Sequence, residues 1–126
     1  MTAVPLWLRF VDAGVLRVVH RSAVVGVIPR PVPTRVPGAP SWVIGIVAWR
    51  GSVLPLLRPG RETTTLDPLF TDVRAAIVAQ AGNALVAIAA DSVLGWTAEP
   101  DDASVLDPSE VLARGRTRTS ALPPRP

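Results

Sequence analysis

The chain has 126 residues, enough for one compact domain and too few for two ordinary ones, and 48% of them are apolar, so a real core can be buried. It contains no Cys, which excludes a disulfide framework, a thiolate metal site and a cysteine nucleophile, and fits a reducing compartment. All 13 basic residues are Arg, so a sequence pI of about 11.3 accompanies a formal charge of only +3; the arginines are scattered apart from a cluster at Arg114, Arg116 and Arg118, whereas a nucleic-acid binder would gather them on one face.

Met1 to Leu8 has no basic segment ahead of an apolar one, so no secretory signal is expected. Leu6 to Val11 alternates loosely and ends at Asp12-Ala13-Gly14, a turn signal. Val15 to Val19 is the return strand of that first hairpin. Val24 to Ile28 is a β-branched run bounded by Pro29. Arg30 to Pro40 then holds four prolines in eleven residues. Proline has no ladder donor and pushes its predecessor toward extended geometry, which predicts a stiff connecting loop.

Trp42 to Trp49 and Val53 to Leu57 are apolar runs separated by Arg50-Gly51-Ser52, a second predicted hairpin. Pro55 within the return strand predicts an edge or a bulge there. Arg58 to Asp72 is polar, contains Pro59-Gly60, and reads as a long loop. Val73 to Gln80 and Ala84 to Ala90 form a third hairpin around Ala81-Gly82-Asn83; their alanines leave a helix open as the alternative, but the Gly-Asn pair favours the turn. The longest charge-free run, Ala75 to Ala90, is shorter than the roughly 20 apolar residues that span a bilayer.

A short apolar stretch follows at Asp91 to Trp96, and Val105-Leu106 is a last short strand. Asp107-Pro108-Ser109-Glu110 is a helix start, with Asp as N-cap, Pro at the first helical position and Glu three residues after the cap. That helix runs to about Arg114. Residues 115–126 carry no hydrophobic pattern and are expected to be a disordered Arg/Pro-rich tail, leaving residues 1–114 as the folded domain. Many short strands, Gly/Pro turns and one short helix point to an all-β barrel or double barrel.

Chemistry is scarce along this chain. His20 is the only histidine, and one His without Cys cannot build a zinc site unless carboxylates join it in space; its expected role is structural or at the surface. Asp101-Asp102, near Glu99 and Asp107, lacks the alternating spacing and central Gly of a calcium loop and reads as solvated. No nucleophile elbow, phosphate loop or dinucleotide fingerprint is present. No catalytic, metal or cofactor-binding residue is therefore assigned, and the chain is not expected to be an enzyme.

Four tryptophans, Trp7, Trp42, Trp49 and Trp96, stand out among few aromatics; core packing is expected for two or three of them. Trp and Arg are also the residue types that anchor protein–protein contacts. Trp49, Arg50 and Gly51, at a strand end and tight turn, are the candidate partner-binding residues. A solvated turn arginine is the bland alternative.

Pro37-Gly38-Ala39-Pro40, then Val43 to Val47, then Arg50 to Leu57 resemble the signature of the CheW-like domain family: a "P-x-A-P" loop, a "hydrophobic-G-hydrophobic" strand, an "L-R-G" turn and a "V-x-P-V-hydrophobic" strand. Val24 and Val27, Ala87 to Val93, and Val105 through Leu112 are similar to flanking motifs of the same family in the same order. The likeness spans about residues 4 to 113. It departs where Leu57-Arg58-Pro59 replaces a usual Asp after the strand, at Trp49 and Ala87, and in the short segment from Trp96 to Val105, where one strand of the usual set is expected to be missing.

The resemblance implies an all-β, CheW-like fold of two small five-stranded SH3-like barrels on a shared apolar core, with a short C-terminal helix. It implies a cytoplasmic, non-catalytic chemotaxis adaptor, without cofactor, recruited to receptor arrays at the inner membrane. One barrel would meet a CheA-type histidine kinase and the groove between barrels a chemoreceptor's cytoplasmic tip; no nucleic acid and no direct membrane insertion are implied. Arg50 matches the family's turn Arg, with Gly51 presenting it. The alternatives are a small nucleic-acid-binding barrel, or an adaptor of the same fold in a pilus, motility or other two-component pathway.

Overall fold

The computed structural model describes residues 5–12, 14–38, 43–58, 73–100 and 103–113. Their strands are β1 (Trp7–Asp12), β2 (Val15–His20), β3 (Val24–Pro29), β4 (Val43–Trp49), β5 (Ser52–Leu57), β6 (Ala75–Ala81), β7 (Ala84–Ala90), β8 (Ser92–Thr97) and β9 (Ser104–Val105). A 3-10 turn, Arg21–Ala23, separates β2 from β3, and a helix, α1, covers residues 108–113. Two sheets result: β8-β1-β2-β9 and β3-β6-β7-β5-β4.

All three predicted hairpins are present as antiparallel pairs, β1–β2, β4–β5 and β6–β7. The β6–β7 pair explains why its sequence pattern left helix open. Ala75, Ile77 and Ala79 pack into one core with Leu8, Phe10 and Val19 of the four-stranded sheet and with Leu106 and Leu112. Ala76 and Val78, on the other face, pack into a second core with Ile44, Val47, Leu54 and Leu56. A strand covered on both faces loses the period-2 alternation of a half-exposed one. Its alanines also let the layers approach closely.

The five-stranded sheet curls back on itself through the proline-rich connection. Thr34 pairs with Ile46 of β4, each donating its N–H to the other's carbonyl at 2.8 and 2.9 Å. Gly45 is what permits this approach: a Cβ there would lie 2.6 Å from the Thr34 carbonyl oxygen. The pairing also accounts for Pro55. Ile46 directs its backbone groups at Thr34, so opposite it Pro55 needs no bond to β4, and β7 begins to pair with β5 only at Leu56. Of the predicted edge or bulge, the edge is corrected, since β5 is an interior strand, while a bulge does lie close by: the β4–β5 register shifts between Val43 and Gly45, next to Pro55's partner Ile46.

Among the described residues the four-stranded sheet has one strand fewer than the family resemblance implies, as the short segment after Trp96 anticipates; β9 is only two residues long. A bulge at Leu94 interrupts the pairing of β8 with β1. Helix α1 starts as expected: the Asp107 carboxylate accepts the Ser109 N–H at 3.0 Å, with Pro108 in the first turn. The tail 115–126, Asp101-Asp102, Trp42 and most of the expected 58–72 loop lie outside the described residues.

Arg58, expected in that polar loop, is instead buried at 7% exposure. Its Nε lies 3.8 Å from Oδ1 of Asp12, which is fully buried at the end of β1. The pair ties one sheet to the other. Two charges removed from water must face one another, because either alone would carry an uncompensated desolvation penalty.

Candidate functional site

Trp49, Arg50 and Gly51 meet at the β4–β5 tip. Trp49 and Ser52 face each other as the last pair of the ladder, leaving Arg50-Gly51 as a two-residue turn. Both turn residues are left-handed, with φ of +46° at Arg50 and +79° at Gly51. This is the turn whose twist matches that of the flanking strands, and Asn-Gly is its preferred sequence. Glycine adopts the conformation freely; an arginine does so against steric resistance.

The arginine is exposed and its guanidinium carbon sits 4.7 Å from the centroid of the Trp49 ring, a cation–π contact. Among the described residues it has no ion pair or hydrogen bond. Trp49 is half-buried. Its inner edge rests on β3, where a Cβ at Gly26 would lie 3.1 Å from its Cζ2, and it packs against the second core. The ring thus bridges β4 and β3 and forms a fixed platform beneath the cation. Beside it, Val53 is 65% exposed and registered opposite the exposed Ala48. A cation on an aromatic base with an apolar neighbour is an anchor for a carboxylate-bearing protein surface.

None of the three described tryptophans is fully buried; Trp49 packs against a core, so among the described residues the expected core packing holds for one. Trp7 stands edge-on to His20 at 4.9 Å, and Trp96 is 48% exposed on the edge strand β8. Each lies near a sheet margin, where a large ring covers the rim more easily than it fits between alanine-lined layers. His20 has a structural role: its Nδ1 accepts the Ser22 N–H at 3.1 Å and caps the 3-10 turn. Sequence reasoning missed Asp12 and Arg58 because Asp-Ala-Gly and Arg-Pro-Gly both carry turn chemistry, which masks a burial that only the packed sheets create.

Among the described residues no three of His, Asp and Glu come together as a metal site would require. An open depression of about 570 Å³ lies between the β6–β7 turn and α1, lined by Gly82, Asn83, Ser109 and Leu112 among others, none of them titratable. No helix among the described residues is long and apolar enough to cross a membrane.

Comparison with known proteins agrees with this architecture. The profile of the CheW-like domain matches residues 12–115. No curated protein sequence matches the chain. Fifteen chains of solved structures do. One is the crystal structure of the scaffolding protein TtCheW from Thermoanaerobacter tengcongensis, similar in fold at a TM-score of 0.59 and 19% identity over 75% of this chain. The chain spans 65% of that protein's length. With two small sheets that share a core, a closing helix and the family profile over most of its length, the chain belongs to the CheW-like domain family.

Proposed function

We propose that this domain couples chemoreceptors to a CheA-type histidine kinase, in the cytoplasm at receptor arrays, and that Arg50 is its contact with the kinase. The observation that carries the reading is the β4–β5 tip: an exposed arginine held in a left-handed turn over a Trp49 platform. A residue kept in a conformation that it resists is maintained for what it meets, since Asn or Gly would serve the turn better. Trp49 fixes the guanidinium, which lowers the side-chain entropy lost on docking. Family membership supports scaffolding as the mode of action.

The test is a pulldown of a CheA-type regulatory domain with a salt titration. Retention of the kinase domain at moderate salt, lost in Arg50→Ala, is the expected result. Retention of DNA or RNA that fades steeply with salt, with no kinase captured, would overturn the reading.

A further inference from the structure

The described residues of the five-stranded sheet and its connections carry charge of one sign, while the sequence between Arg58 and Val73 adds Glu62, Asp67 and Asp72. Residues 24–38, 43–58 and 73–90 contain Arg30, Arg35, Arg50, Arg58 and Arg74 and no Asp or Glu. The carboxylates of the described residues, Asp12, Asp91, Glu99, Asp107 and Glu110, all lie outside these segments. Arg58 is turned inward to Asp12, while Arg30 and Arg74 are exposed.

Three features converge at that exposed pair. The β3–β6 ladder reaches Pro29 opposite Ala75, and one step further the Arg30 N–H donates to the Arg74 carbonyl at 2.9 Å. Two cations therefore occupy facing positions, an arrangement that repels. Neither has an ion pair or side-chain hydrogen bond among the described residues. Second, Arg30 has φ of +49°; with Arg50 it is one of two non-glycine residues in the left-handed region. Third, Val32, two residues on, is 88% exposed, the highest value among the exposed large hydrophobics. For folding alone, a glycine in place of Arg30, an uncharged polar residue in place of Arg74 and a polar residue in place of Val32 would serve better.

We propose that Arg30, Arg74 and Val32 form a docking surface for an acidic segment of a protein partner, with carboxylates on the two arginines and an apolar side chain on Val32. Charge complementarity selects this occupant: two exposed, facing arginines with no counter-ion among the described residues are relieved by an acidic segment. Nucleic acid fits less well. Val32 has no role against a phosphodiester, and Trp49, the aromatic of these segments, is already covered by Arg50 and offers no stacking face. The surface is distinct from the hairpin tip. Gly26, beneath Trp49, precedes Arg30 by four residues, about 13 Å of extended strand. The inference therefore stands apart from the kinase contact proposed for Arg50, and gives a scaffold the second face that it needs.

Fluorescence anisotropy on the full chain tests it, with three labelled probes: a peptide alternating Glu and Leu, its Lys–Leu counterpart, and a short oligothymidylate. The Glu–Leu peptide is expected to bind, and the double variant Arg30→Gly, Arg74→Ser to bind it about tenfold or more weakly, as two charge-assisted contacts are lost. Val32→Ser, at an exposed position that does not endanger the fold, is expected to weaken it about threefold. Arg21→Gln, at an exposed arginine outside these segments, should leave the affinity within about twofold. Equal binding by the double variant, equal affinity for the Lys–Leu peptide, or tighter binding of oligothymidylate would overturn the proposal. So would a lowered unfolding midpoint in Arg30→Gly, which would mean that the arginine is retained for the fold.

Discussion

Replacing Arg50 by Asn separates what the β4–β5 turn needs from what a partner needs. At φ of +46° an arginine carries a steric cost of about 1 kcal/mol that Asn largely escapes. Against this stands the cation–π contact with Trp49, worth about 0.5–1 kcal/mol at an exposed position. The two nearly offset, so the Asn-Gly turn is expected to be as stable as the parent or more stable by up to about 0.5 kcal/mol. For a domain of this size that shift amounts to roughly 0–4 °C in Tm, measured by circular dichroism. If Arg50 is a buried anchor in the complex, the same variant loses about 2 kcal/mol of binding, roughly 30-fold in Kd for the kinase regulatory domain by calorimetry. A fall in Tm of more than about 4 °C would make Arg50 a fold residue. An unchanged Kd with an unchanged Tm would refute the contact itself.

Other substitutions probe the scaffold. Gly45→Ala drives a methyl group toward the Thr34 carbonyl, a backbone atom fixed by two hydrogen bonds, and is expected to cost about 2–3 kcal/mol in urea unfolding. Asp12→Ala leaves the Arg58 guanidinium buried without its counter-ion and should cost about 3–5 kcal/mol, whereas the apolar double replacement Asp12→Leu, Arg58→Met should recover most of it. If the double variant is no more stable than the single one, the burial of uncompensated charge is not what the single change costs. Asp107→Ala removes the α1 N-cap and should lower stability by about 1 kcal/mol, seen as a matching shift of the denaturant midpoint.

The hairpins were legible because each is a local event: two apolar runs, a Gly-bearing turn, and a register that follows from the turn. The candidate contact was legible for the same reason, since Trp49, Arg50 and Gly51 are neighbours in sequence. Long-range features were not. That Gly45 serves Thr34, or that Pro55 falls where Ile46 is turned away, depends on how the connection after Pro29 folds back over β4. The Asp12–Arg58 pair joins positions 46 residues apart, each disguised by its local turn residues. Arg30 and Arg74 likewise become neighbours only through the β3–β6 ladder. The tryptophans were only partly legible: hydrophobicity sets a preference for burial, yet Trp49 packs against a core from its margin and Trp96 stays exposed.

The central β6–β7 pair has a consequence for how the molecule comes apart. Because its two faces belong to two different cores, loosening either strand exposes both at once. Neither half can then melt while the other persists, and a single calorimetric transition is expected, with the enthalpy from its shape equal to that from its area. Amides of Ile77, Val78, Ala87 and Ile88 should exchange with solvent last, at the rate of global opening. Those of the edge strand β8 should exchange through smaller local openings. A fragment holding only the four-stranded sheet is not expected to fold, since β6 and β7 supply the other wall of its interior.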